Sequence, residues 1–171
     1  APERVRRLAL VSPAGIEPFS PKEAAAMKQA TTAEGILNTT DEQVRQNTTL
    51  NFAEWNDRYA WIIEQRYALS ERDDFAAYAK ANARSVAGML ESDVRDRLGE
   101  IDVPALVLFG AGDRLIPNPY LHPDMTTTDV ADRAREALPE ATVRMVETAG
   151  HLLMLERPER FRQELHAFVA E

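Results

Sequence analysis

The sequence contains no cysteine, which excludes disulfides, thiolate nucleophiles and cysteine-based zinc sites and accords with a reducing compartment. Basic charge is scarce too: 28 Asp and Glu stand against 20 Lys and Arg, a formal net charge of −8. The short RVRR at residues 4–7 is the one basic cluster in that acidic field, so a phosphate backbone is repelled and nucleic acid is not an expected partner. No apolar run reaches the ~20 residues that a membrane helix needs, and no charged-then-apolar leader precedes the fold. These absences predict a soluble, cytoplasmic protein with no membrane partner. What is present suits a packed core: 44% of residues are apolar and 28% charged. Ala1 without a methionine, with RRLALVSPAG following almost at once, points to Met removal or to a cleaved or truncated protein.

Three apolar runs have strand character. RLALV at 7–11 is stopped by Ser12-Pro13-Ala14-Gly15, PALVLFG at 104–110 is bounded by Pro104 and Gly110, and ATVRMVE at 141–147 alternates more. Near-continuous apolar content predicts parallel strands covered on both faces. Helical signals fill the rest. Ser20-Pro21-Lys22-Glu23 opens one helix, and Asp41 or the threonines before it cap a second. Phe52, Trp55, Tyr59, Ile62, Ile63 and Arg66 recur at helical spacing along a helix from about 56 to 69. A further helix is expected from about 71 to 88, a short one over SDVRDRLGEI, then one over TTDVADRAREALP. The last, PERFRQELHAFVAE, should bury Phe161, Leu165, Phe168 and Val169. The order strand, helical block, strand, helix, strand, helix is an α/β pattern. It predicts core segments 1–19 and 100–171 with an all-helical subdomain at 20–99.

In parallel sheets, ligands gather beyond the carboxyl ends of the strands. Two loops place ionisable groups there: Asp113 follows PALVLFG by three residues, and His151, one of three histidines, follows the third strand by four. Neighbouring strands lie about 4.8 Å apart, so the two loops can bring carboxylate and imidazole into hydrogen-bond contact. Such a carboxylate holds Nδ1–H and leaves Nε2 to take a proton from a nucleophile. Gly110-Ala111-Gly112-Asp113 could start a dinucleotide fingerprint, but Leu115 occupies the third glycine position, so no cofactor is expected. His122, Asp124, Asp129 and Asp132 match no ligand spacing, which favours a polar loop and helix cap over a metal site. His166 falls within a charged amphipathic helix and is expected to be solvated.

DRLGEIDVPALVLFGAGDRLIP followed by ALPEATVRMVETAGHLLMLERPERFRQELHAFV resembles the C-terminal part of the α/β-hydrolase fold, and PERVRRLALVSPAG resembles the strand that precedes its cap. The resemblance implies a partial α/β-hydrolase fold of about three parallel strands, flanking helices and a helical cap. It also implies that Asp113 is the triad acid and His151 the triad base, acid before histidine, after a nucleophile earlier in the chain. That nucleophile needs a G-x-S-x-G elbow and an oxyanion hole, and neither motif is present. Ser12 in LVSPAG comes nearest, but Leu10 and Ala14 replace the glycines, and Pro13 removes the N–H an oxyanion hole would use.

The cap run DRYAWIIEQRYALSERDDFAAYAKAN is similar to that of carbon–carbon bond hydrolases acting on meta-cleavage products. That similarity implies that Arg66 contacts a substrate carboxylate; the alternative is an i,i+4 partner of neighbouring acids. Trp55, Tyr59 and Trp61 could line an aromatic pocket or simply pack the core. Leu152 stands where those enzymes tend to carry tryptophan, which leaves esterases, lactonases and epoxide hydrolases open.

The expectation is therefore the C-terminal part of a serine-type hydrolase cleaving an ester or carbon–carbon bond in a small carboxylated or aromatic substrate. The nucleophile and oxyanion donors would come from a missing N-terminal segment, so the 171-residue chain alone should be inactive. The strand at 7–11 should lie at a sheet edge and pair with that segment or with a second copy. The rival from another class is a non-catalytic interaction module of hydrolase ancestry that binds through its sheet edge or cap groove.

Overall fold

A computed structural model describes residues 2–170; Ala1 and Glu171 lie outside the described residues. In chain order the elements are β1 (Leu8–Val11), α1 (Pro21–Ala30), α2 (Ala33–Leu37), α3 (Asp41–Thr49), α4 (Ala60–Ser70), α5 (Phe75–Glu91), β2 (Ala105–Gly110), α6 (Thr127–Ala137), β3 (Thr142–Val146), α7 (Leu153–Glu156) and α8 (Pro158–Ala170). Short 3-10 turns cover Asp57–Tyr59 and Arg95–Glu100.

The chain divides into two compact units. The first joins residues 1–17, 51–54 and 94–171; the second joins 18–50 and 55–93.

In the first unit the three strands form a parallel sheet in the order β1-β2-β3, with Leu8 opposite Ala105 and Leu106 opposite Thr142. β2 is central, and all six of its residues are buried. Successive side chains on a strand point to opposite faces, and the packing follows that alternation. Val107 and Phe109 join Val130, Ala131 and Ala134 of α6 on one side. Leu106 and Leu108 join Leu153 and Phe168 on the other. Each fully buried Leu or Phe contributes about 1.5–3 kcal/mol, so the strand that reads as one unbroken apolar run anchors both layers. In α8, Phe161 and Leu165 pack partly against the second cluster, but Val169 is 67% exposed. The expected buried stripe therefore stops at Phe168, and Val169, about 100° further round the helix, is exposed.

The second unit is helical, with Val44, Tyr59, Ile63, Phe75 and Ala79 buried. α1 and α2 pack on α5, and α3 on α4. Capping boxes start α1 at Ser20 with Glu23 and α3 at Thr40 with Gln43, so a threonine rather than Asp41 is the cap. α5 begins at Phe75, later than the spacing suggested, and in the turn before it Arg72 meets Asp74 through two hydrogen bonds of 2.8 and 2.9 Å. Residues 51–54, within the span 20–99 that the order of elements assigned to a helical subdomain, group with the first unit. Phe52 is fully buried there and is not part of the helical stripe that contains Tyr59 and Ile63.

Candidate active site

The acid turn begins where β2 ends. Asp113 N–H donates to Gly110 O at 3.1 Å and closes the turn, while Ala111 N–H and Gly112 N–H donate to Val146 O and Ala149 O at 2.9 and 2.8 Å. The turn is thus laced to the end of β3 and to the loop after it. Thr148 in that loop takes a left-handed φ of 56°, and the chain then passes Gly110 at a separation that excludes any side chain. A Cβ on Gly110 would overlap Gly150 O and lie 2.5 Å from Ala149 O, and one on Gly150 would lie 2.5 Å from Ala53 N. Glycine is required at both positions for close backbone approach.

This lacing brings Asp113 and His151 together. Asp113 Oδ2 is 2.9 Å from His151 Nδ1, and Oδ1 accepts from Leu115 N–H and Ile116 N–H at 2.8 and 3.1 Å. The carboxylate is fully enclosed, whereas 27% of the imidazole is exposed. An ionised carboxylate can only accept. A neutral imidazole facing such a carboxylate carries its proton on Nδ1 and its lone pair on Nε2, the tautomer suited to a general base.

The backbone of His151 is held as firmly as its ring. Ser12 is buried at φ 42°, and its hydroxyl donates to His151 O at 2.9 Å. The nearest imitation of a nucleophilic serine thus donates its hydrogen bond to a main-chain carbonyl. Leu152, half-buried beside the histidine, donates its N–H to Asn51 O at 3.1 Å. Glu156, 5% exposed, accepts from Gly150 N–H at 2.6 Å. Sequence reasoning passed over both Ser12 as a structural donor and Glu156; the one visible signal for Glu156 was a lone acid closing the run LLML.

The remaining candidates lie in the helical unit. Trp55 and Tyr59 touch edge to face, with ring centroids 6.2 Å apart, while Trp61 is 45% exposed. The Arg66 guanidinium sits 4.6 Å above the Phe75 ring and 5.6 Å from that of Tyr78, and its Nη1 is buried with no hydrogen-bond partner. An aromatic face holds this arginine.

His122 Nδ1 meets the buried Glu17 carboxylate, which also accepts from Asn118 N–H at 2.7 Å, and Asp129 caps α6 together with Thr126. His166 is exposed. Among the described residues no group of three or more His, Asp or Glu is placed to hold a metal ion, and no helix is long and apolar enough to cross a membrane.

Known proteins are similar to this chain in sequence or in fold. A non-heme chloroperoxidase from Streptomyces lividans is 33% identical over 91 residues, 53% of this chain and 30% of that protein. The fold superposes on a probable hydrolytic enzyme from Pseudomonas aeruginosa PAO1 with a TM-score of 0.73 at 23% identity, covering 98% of this chain and 56% of the other. It also superposes on 2-hydroxy-6-oxo-6-phenylhexa-2,4-dienoate hydrolase from Rhodococcus sp. strain RHA1 with a TM-score of 0.72 at 19% identity, covering 99% and 57%. At such identities the structural likeness speaks for the fold alone, and the chain spans well under two thirds of each of these proteins. The sequence profile of the alpha/beta hydrolase family matches residues 1–164, and with that match, the parallel sheet and the acid and histidine loops, this chain belongs to the alpha/beta hydrolase family.

Proposed function

We propose that this chain supplies the acid and the histidine of a serine-type hydrolytic site, Asp113 orienting His151 and His151 acting first as general base, then as general acid. The observation that carries this reading is the 2.9 Å contact between a fully enclosed Asp113 carboxylate and Nδ1 of a partly exposed imidazole. On this reading Nε2 takes the proton of a serine hydroxyl as it attacks a carbonyl carbon, and returns that proton to the leaving group. Acid–base help of this kind contributes typically ~10²–10⁴ in rate.

The serine and the oxyanion donors would come from an N-terminal segment outside this sequence. β1 pairs with β2 on one side, and an additional parallel strand from that segment on its other side would extend the sheet. The share of its relatives that the chain spans supports this placement. In the helical unit, Arg66 is the proposed ligand for a substrate carboxylate, since a buried guanidinium nitrogen without a partner is costly unless an anion completes it. Trp55, Tyr59, Trp61 and Leu152 are the proposed apolar contacts, for an ester or carbon–carbon bond substrate that is small, carboxylated or aromatic.

The test is reconstitution. The chain is co-expressed with the coding segment upstream of it, treated with a fluorophosphonate probe and assayed on carboxylated aryl esters and vinylogous diketones. A labelled serine in the upstream segment, with turnover abolished by His151→Ala, is the expected result. An unlabelled assembly, or full turnover in His151→Ala, would remove the hydrolase reading.

A further inference from the structure

Glu156 is a carboxylate in a place where packing alone would favour an apolar side chain. It ends α7, whose Leu153 is fully buried, and is itself 5% exposed. Burying a carboxylate is costly unless its oxygens are satisfied. Among the described residues no guanidinium does this: the neighbouring Arg157 donates to Thr148 Oγ1 and to the Glu156 main-chain carbonyl, both at 2.9 Å. The partners of the carboxylate are main-chain N–H groups from two separate segments. Gly150 N–H reaches Oε2 at 2.6 Å, Ala53 N–H faces Oε1 and Oε2 at 3.1 and 3.3 Å, and Glu54 N–H reaches Oε1 at 3.3 Å.

Both segments lead to the same residue. Gly150 immediately precedes His151. Segment 51–54 provides Asn51 O, which accepts from Leu152 N–H immediately after His151. The histidine is therefore flanked by Gly150, whose N–H bonds the carboxylate directly, and by Leu152, whose N–H bonds Asn51 in the segment that the same carboxylate holds through Ala53 and Glu54. We infer that Glu156 is a positioning residue for His151: it fixes the backbone on either side of the histidine so that the ring meets Asp113 in one orientation. This inference rests on the hydrolytic reading above, since a held histidine matters most where its ring must move a proton.

Glutamine at this position keeps the shape but presents one acceptor oxygen and an NH₂ group to three N–H donors. In the assembled protein with ¹⁵N-labelled histidine, Glu156→Gln should broaden or remove the downfield His151 Nδ1–H resonance and speed amide exchange at Gly150 and Leu152 at least tenfold. Turnover should fall about 10²-fold with KM little changed, as for a group misplaced by an ångström, and Glu156→Asp should restore part of both signals. A folded Glu156→Gln protein with wild-type ring resonances and kcat would overturn the inference. If that variant does not fold, the unaltered protein decides: Gly150 and Ala53 amides must exchange no faster than those of β2, and fast exchange there overturns it equally. The resonance and exchange readouts need no turnover. A coupled but inert protein would therefore sink the hydrolytic reading alone, and an active, uncoupled one would sink the positioning role alone.

Discussion

Replacing Asp113 with asparagine tests the central pair with almost no change in shape. Oδ1 accepts from Leu115 N–H and Ile116 N–H, while Oδ2 faces His151 Nδ1. An asparagine in this enclosed site must decide where to put its NH₂ group. Turned toward Leu115 and Ile116 it would confront two donors and leave both unsatisfied, at about 1–3 kcal/mol each. The carbonyl oxygen therefore stays at the Oδ1 position and the NH₂ occupies the Oδ2 position, 2.9 Å from the imidazole. There it donates, so Nδ1 must accept and the ring proton moves to Nε2. A histidine protonated at Nε2 cannot serve as the base, and the loss expected for a wrong tautomer is about 10⁴-fold in kcat, or ~5 kcal/mol of transition-state stabilisation. Imidazole ¹⁵N shifts in histidine-labelled Asp113→Asn report the tautomer directly, and turnover of the reconstituted enzyme reports the consequence. A variant whose Nε2 stays unprotonated, with turnover within threefold of the parent, would refute the reasoning at its root.

Gly110→Ala should destabilise the fold by about 3 kcal/mol or more, because the new Cβ meets main-chain oxygens that cannot give way; a loss under 1 kcal/mol by urea denaturation would show that the β2 end and the histidine loop are not in such close approach. Ser12→Ala should cost about 1 kcal/mol through its bond to His151 O and leave fluorophosphonate labelling of the assembled enzyme intact. Abolished labelling would instead make Ser12 the reactive serine. Asp129 titrates below the usual carboxylate range, held down first by the Thr126 hydroxyl and then by the Thr126 N–H in the α6 capping box. A depressed folded value means that its contribution is present above the unfolded value and lost as pH falls through the folded one. The denaturation midpoint should accordingly drop below about pH 4, and Asp129→Asn should remove that part of the drop.

Much of the sheet was legible because its signals are local. PALVLFG is apolar at every position and bounded by proline and glycine, and β2 is buried at every position. The loops after β2 and β3 followed from topology, since parallel neighbours discharge their loops on one side. What escaped depends on meetings between distant residues. Ser12 and His151 are 139 positions apart, and nothing near LVSPAG says that its serine will bond a main-chain carbonyl. Glu156 reads as an ordinary acid before Arg157-Pro158 until segment 51–54 is folded against it. Helical spacing placed Phe52 and Tyr59 on one stripe, yet the chain turns between them and buries Phe52 in the core. Short helices hid as well: α2 has only five residues and carries Gly35 inside it, where Thr32 caps it through that glycine's N–H.

The anchoring of residues 51–54 by Glu156 turns one long excursion of the chain into two shorter ones, 18–50 and 55–93, each closed at both ends by the core. The entropy of closing a loop grows only with the logarithm of its length, about 0.6 kcal/mol for each doubling. Insertions in the turns that join the helices of either excursion should therefore add little closure cost while the pairing of β1 with β2 and the Asp113–His151 contact stay as they are. The helices of the two excursions remain tied to each other, since α1 and α2 pack on α5 and α3 on α4, so they must vary together even where their connecting turns differ.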